Sequence, residues 1–147
     1  MEGPRSCWAA LEDKAQRRIT ELQAEIAKAG QLLETLEASR TRLLTLYHEY
    51  RTQLENRSEQ LGMQEAMNHR QFMSQLQTLH NRVEADMERT TAHRAALKGA
   101  LRDADTERLK MKTLRENAQT LHNKEVARKE QQAMDVLGVQ QYNRKAA

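Results

Sequence analysis

A seven-residue apolar repeat constrains this chain more than any other feature. Ile19, Ile26, Leu33, Tyr47, Leu54 and Leu61 fall on one row, position a. Ala15, Leu22, Ala29, Leu36, Leu43 and Tyr50 fall on the second row, position d. Arg40 at a and Arg57 at d interrupt the frame without shifting it. Alternating steps of three and four put both rows on one face of an α-helix. Such a face must be covered by another helix.

A second repeat starts beyond Phe72. Leu76, Val83, Thr90, Leu97, Ala104, Met111 and Ala118 take position a. Phe72, Leu79, Asp86, His93, Ala100, Glu107, Leu114 and Leu121 take position d. Between the repeats, no apolar spacing fits either frame, and Asn56, Gly62 and Asn68 are turn residues. The predicted fold is all-α, a long antiparallel two-helix coiled-coil hairpin forming a single domain over 1–147. Its elements are a helix over 7–61, a turn over 62–65, a helix over 66–137 and a basic tail over 138–147. Gly3 and Pro4 resist helix, Ser6 is a candidate N-cap, and Gly62 suits the residue just past a helix end.

Composition agrees. The chain is 31% charged and 3% aromatic, with mean hydropathy −0.92, five Gly and one Pro. Strong helix formers dominate, and the aromatic content is too low to fill a globular core of this size. A disordered chain would not sustain a heptad frame.

In an antiparallel pair an a residue lies level with a d residue of the partner. A turn centred on Met63 sets Leu54 opposite Phe72, Tyr50 opposite Leu76, Tyr47 opposite Leu79 and Ala29 opposite Leu97. Arg40 then faces Asp86, and this ion pair is expected to fix the register, because a slip of one heptad destroys it. The second helix outlasts the first, so its end past about residue 119 lacks a partner. From Arg108 to Ala147 nine Lys and Arg stand against four Asp and Glu. An unpaired helix of this kind is marginal in water and is expected to fray unless bound.

The net charge of +3 is spread in interleaved signs, without the clustered basic face or aromatic platforms of a nucleic-acid binder, so no nucleic-acid partner is expected. No apolar run approaches a membrane span, and no direct membrane insertion is expected. The first ten residues lack the apolar core of a signal peptide, and the single cysteine, Cys7, fits a reducing compartment. Together these predict a cytoplasmic protein. His48, His69, His80, His93 and His122 never stand four apart, and the glycines stand singly. Neither a metal site nor a phosphate loop is implied, and no cofactor is expected. No spacing supports a catalytic constellation, so the chain reads as a non-enzyme.

Near the turn the apolar stripe widens, with Leu44, Leu46 and Met73 flanking the seam. A two-stranded coil cannot bury these flanks as well as the seam. Leu44, Leu46, Tyr47, Tyr50, Phe72 and Met73 are therefore expected to form an exposed apolar and aromatic patch. A locally wider core and self-association into a four-helix bundle are the competing readings.

The segment Leu43-Leu44-Thr45-Leu46-Tyr47-His48-Glu49-Tyr50-Arg51, followed by Gln71-Phe72-Met73 and Leu76, resembles the flagellar export protein FliJ family. The resemblance implies a coupling stalk of the flagellar type III export apparatus. Its partners would be the hexameric export ATPase, the membrane export gate protein and late-substrate export chaperones. It would act in the cytoplasm, peripheral to the inner membrane at the flagellar base, and be a monomer when isolated. Carried over by position, the gate-contacting patch comprises Leu43, Leu46, Tyr47, Tyr50, Phe72, Leu76 and Leu79. Lys124, Arg128 and Lys129, on the overhanging basic helix, would meet the ATPase pore. The stalk of a virulence type III system and a self-associating structural scaffold are the alternatives.

Overall fold

A computed structural model describes residues 7–57 and 59–146. Helix α1 spans Cys7–Arg57, 51 residues, and α2 spans Met63–Ala146, 84 residues. The fold class is all-α, with the two helices packed against each other. The Ser6 cap reading lies outside the described residues.

The first repeat is the seam of α1. Every assigned a and d residue from Ala15 to Leu54 is buried or half-buried, including the intruding Arg40. Of the remaining residues between Ala15 and Leu54, only Gly30 and Ser39 escape full exposure. Burial is nevertheless thin. Ile19, Leu22, Ala29, Leu76, Thr90 and Leu97 are the buried residues among those described, and of them Leu22 alone is fully buried. One partner helix covers a single stripe and leaves its flanks in water. The Thr90 hydroxyl stays satisfied on the seam by donating to the Asp86 carbonyl oxygen at 2.8 Å.

The second repeat is half corrected. The predicted a row, Leu76 to Ala118, lies on the seam. Of the predicted d row, Phe72, Leu79, His93, Glu107, Leu114 and Leu121 are exposed. Their place is taken by the row one residue later, where Met73, His80, Met87, Arg94, Leu101, Arg108 and His122 are half-buried. Side-chain reach accounts for this choice. Arginine keeps its methylenes in a seam while its head reaches the edge, whereas a carboxylate such as Glu107 is too short to do so. Arg94 makes that reach across Gly30, where an added Cβ would stand 3.4 Å from Nη2. Arg108 reaches Asp105 on its own helix at 3.0 Å.

The helix ends also differ from expectation. α1 stops at Arg57, whose carbonyl oxygen accepts from the Gln60 and Leu61 N–H groups at 2.9 and 3.1 Å. Gly62 does not close α1. It opens α2, its carbonyl oxygen accepting from the Ala66 N–H at 3.0 Å. Gly138 does not end α2, which runs on to Ala146 with Arg144 and Lys145 in its last turn. Cationic side chains favour a helix C-terminus, and an isolated glycine costs an exposed helix only about 1 kcal/mol.

Contacts group the chain into two compact units, Glu21–Leu101 and Met1–Thr20 with Arg102–Ala147. Within Glu21–Leu101 the helices form an antiparallel hairpin around the turn. Within the other unit Glu12 of α1 accepts a charged hydrogen bond from Arg115 of α2. There every residue from Ala127 to Ala146 is exposed.

Candidate protein-interaction surface

The shifted seam of α2 sets the register in the hairpin unit. The Tyr50 ring, expected level with Leu76, packs on Phe72, centroids 4.5 Å apart at 46°, and lies 5.9 Å from the His69 ring. Leu43, Leu44 and Tyr47 instead line a notch with Leu76, Gln77 and His80. The Arg40–Asp86 pair is not made. Asp86 is bound by Arg89 of its own helix, and Arg40 lines a groove with Glu84, Met87 and Glu88. Tyr47, expected opposite Leu79, lies beside Leu76, an offset of three residues from the expected pairing. This offset brings the 87 position, rather than 86, onto the seam.

The seven predicted gate-patch residues therefore divide. Leu46, Phe72 and Leu79 are exposed, at 39%, 36% and 44%. Leu43, Tyr47 and Tyr50 are half-buried, and Leu76 is buried. Leu46 stands at the g position of α1. Phe72 and Leu79 hold the equivalent position of α2, one residue before its seam row. In an antiparallel pair these rows share one side, so the three residues present a common apolar edge backed by Tyr50. Leu44 flanks the seam on the opposite side. Beside this edge the sequence reading missed His69 and His80. Both are half-buried; His80 falls on the row that the apolar Leu79 one residue earlier masked, and His69 stands one heptad before Leu76 on the other seam row. The sequence reading also missed Met63 and Met67, exposed at the start of α2. His80 lies 3.5 Å from Glu84, a contact that becomes an ion pair when the imidazole is protonated.

Lys124, Arg128 and Lys129 are exposed on α2, Arg128 and Lys129 within the stretch where every residue is exposed and Lys124 just before it, between the half-buried His122 and Val126. Arg128 is held by Glu125 three residues before it. That hydrogen bond and its charge lower the Glu125 pKa and raise that of Arg128. The Lys129 charge also lowers the Glu125 pKa. Met134, Val136, Leu137, Val139 and Tyr142 follow, each more than half exposed. This apolar set past the basic residues was not foreseen, because it keeps no helical period.

Among the described residues no His, Cys, Asp or Glu cluster has metal-binding geometry. No helix there is long and apolar enough to cross a membrane.

The family model for the flagellar FliJ protein matches residues 9–147. The chain belongs to the FliJ family. No curated protein and no solved structure gives a significant match. The match spans both helices and the turn, so FliJ membership covers the hairpin and the uncovered end together. It makes the chain a coiled-coil protein associated with flagellar type III export.

Proposed function

We propose that this chain is a coupling stalk of the flagellar export apparatus, joining the export ATPase ring to the membrane export gate and also binding export chaperones. The observation that carries the reading is the apolar edge of Leu46, Phe72 and Leu79, backed by the ring contact of Tyr50 with Phe72. An aromatic pair at such an edge suits a protein contact, since buried aromatics dominate interface energies. Leu43, Tyr47 and Leu76 shape this surface from within, and Tyr50 props Phe72 outward. The gate contact is assigned to this end.

The ATPase contact is assigned to the far end of α2, with Lys124 and Lys129 meeting acidic groups and Arg128 contributing once freed from Glu125. A stalk of this kind performs no chemistry of its own. It works in the cytoplasm, peripheral to the inner membrane at the flagellar base.

Light scattering of the purified chain, alone and with the cognate export ATPase, tests the reading. A monomer that joins a six-fold ring as one copy and raises ATP turnover is the expected result. A stable dimer indifferent to the ATPase would overturn it in favour of a self-associating scaffold built on the same apolar edge.

A further inference from the structure

The α2 helix carries two rows able to complete its seam, and they are closely matched. Within Glu21–Leu101 the row in use is Met73, His80, Met87, Arg94 and Leu101. The row beside it is Phe72, Leu79, Asp86, His93 and Ala100. Each offers three apolar and two polar side chains. Both share the central row of Leu76, Val83, Thr90 and Leu97. Changing from one to the other rotates α2 by about one residue and slides it three residues past α1, about 4.5 Å at the helical rise.

Neither arrangement is free of cost. The register in place leaves Arg94 Nε and His69 Nδ1 buried without hydrogen-bond partners, and it keeps Phe72 and Leu79 in water. The shifted register releases Arg94, buries Phe72 opposite Leu54 and Leu79 opposite Tyr47, and sets Asp86 opposite Arg40. In exchange it exposes Met73, Met87 and Leu101. The turn can follow the slide. α1 now stops at Arg57 although Leu61 continues its heptad frame, so α1 can lengthen as α2 shortens. A Cβ added at Gly62 would meet no other part of the protein within 4 Å.

We propose that the hairpin unit is a two-register device, in which a three-residue slide of α2 buries Phe72 and Leu79 and so withdraws the apolar edge from its partner. The slide is a property of the chain alone. Its consequence for the export gate rests on the function proposed above. A partner that binds the exposed edge holds the present register, and a ligand that favours the shifted one releases that partner.

Disulfide trapping in the full chain with Cys7→Ser tests the device. Leu36→Cys is paired in turn with Met87→Cys, which is level with it now, with Thr90→Cys, which becomes level after the slide, and with Val83→Cys, displaced by a similar step the other way. Oxidation by copper-phenanthroline is followed by thiol counting and by mass. The Met87 and Thr90 pairs are expected to close within one chain and the Val83 pair to stay reduced. Closure of the Met87 pair alone overturns the proposal. Equal closure of the Thr90 and Val83 pairs also overturns it, because local slack then explains both.

Binding of the purified export gate to the two closed forms is the second readout. The Thr90-locked form is expected to bind at least tenfold more weakly than the Met87-locked form, and equal binding overturns the switch. If the gate binds neither form nor the unmodified chain, the gate assignment fails, while the trapping pattern still decides whether two registers exist.

Discussion

Two stretches of α2 have similar helix-forming composition and opposite surroundings. From Met73 to Ala118 one side chain in every three or four is covered by α1. From Ala127 to Ala146 every side chain is exposed. Both are helical, yet only the first gains free energy from packing, since an isolated helix is at best marginal in water. The first stretch thus carries the stability of the molecule. The second carries surface whose helical form a partner can reinforce.

The sharpest way to break this contrast is to remove a leucine from each side of it. Leu22 is 1% exposed, and Leu22→Ala should lower the unfolding free energy by about 2–5 kcal/mol in urea denaturation. Leu137 is 57% exposed, and Leu137→Ala should change it by no more than about 0.5 kcal/mol. Equal losses would mean that the far end of α2 is packed in solution.

The aromatic pair comes next in size. A double-mutant cycle of Tyr50→Ala and Phe72→Ala should return a coupling of about 0.5–1.5 kcal/mol in stability. Gate binding should fall with either single change. Coupling near zero would remove Tyr50 as the support for the exposed edge.

Gly138→Ala probes the uncovered stretch alone. No atom lies within contact distance of the added methyl. Amide exchange around Val136 to Tyr142 should slow by the equivalent of about 0.5–1 kcal/mol, with the global unfolding midpoint unmoved. A shift of the midpoint would show the stretch coupled to the packed region.

The smallest effect is a pH dependence. Arg128 depresses the Glu125 pKa below the ordinary carboxylate value, so the helix gains from this pair above the unfolded-state pKa. The gain disappears as the pH falls through the folded value. NMR shifts of residues 122–130 should lose helical character on acidification below about pH 4, and Glu125→Gln should abolish that response.

The sequence exposed the α1 seam fully, because its a and d rows are apolar and no neighbouring row competes. It exposed only one row of α2. There Phe72, Leu79, Leu114 and Leu121 make the unused row look apolar, and Arg94 and Arg108 make the used row look polar. Hydropathy scores an arginine by its head, whereas a seam accepts it by its stem. Leu46 was legible as an edge residue because it is surplus to either row of α1, whereas Phe72 and Leu79 read as seam residues. The division of the patch into exposed and buried members was not legible, because it depends on a register offset that neither repeat specifies alone. The end of α2 escaped too, because Gly138 resembles a stop signal and only the residues after it carry the helix forward.

The Arg94 guanidinium lying over Gly30 has a consequence for descent. Positions 30 and 94 face each other from different helices, and the space at one is filled by the side chain of the other. They form one unit of inheritance. With arginine at 94, an alanine at 30 would meet the guanidinium at ordinary contact distance, and a longer side chain would compete with it for the same space. A lineage that replaces the arginine with a shorter residue frees position 30 to vary.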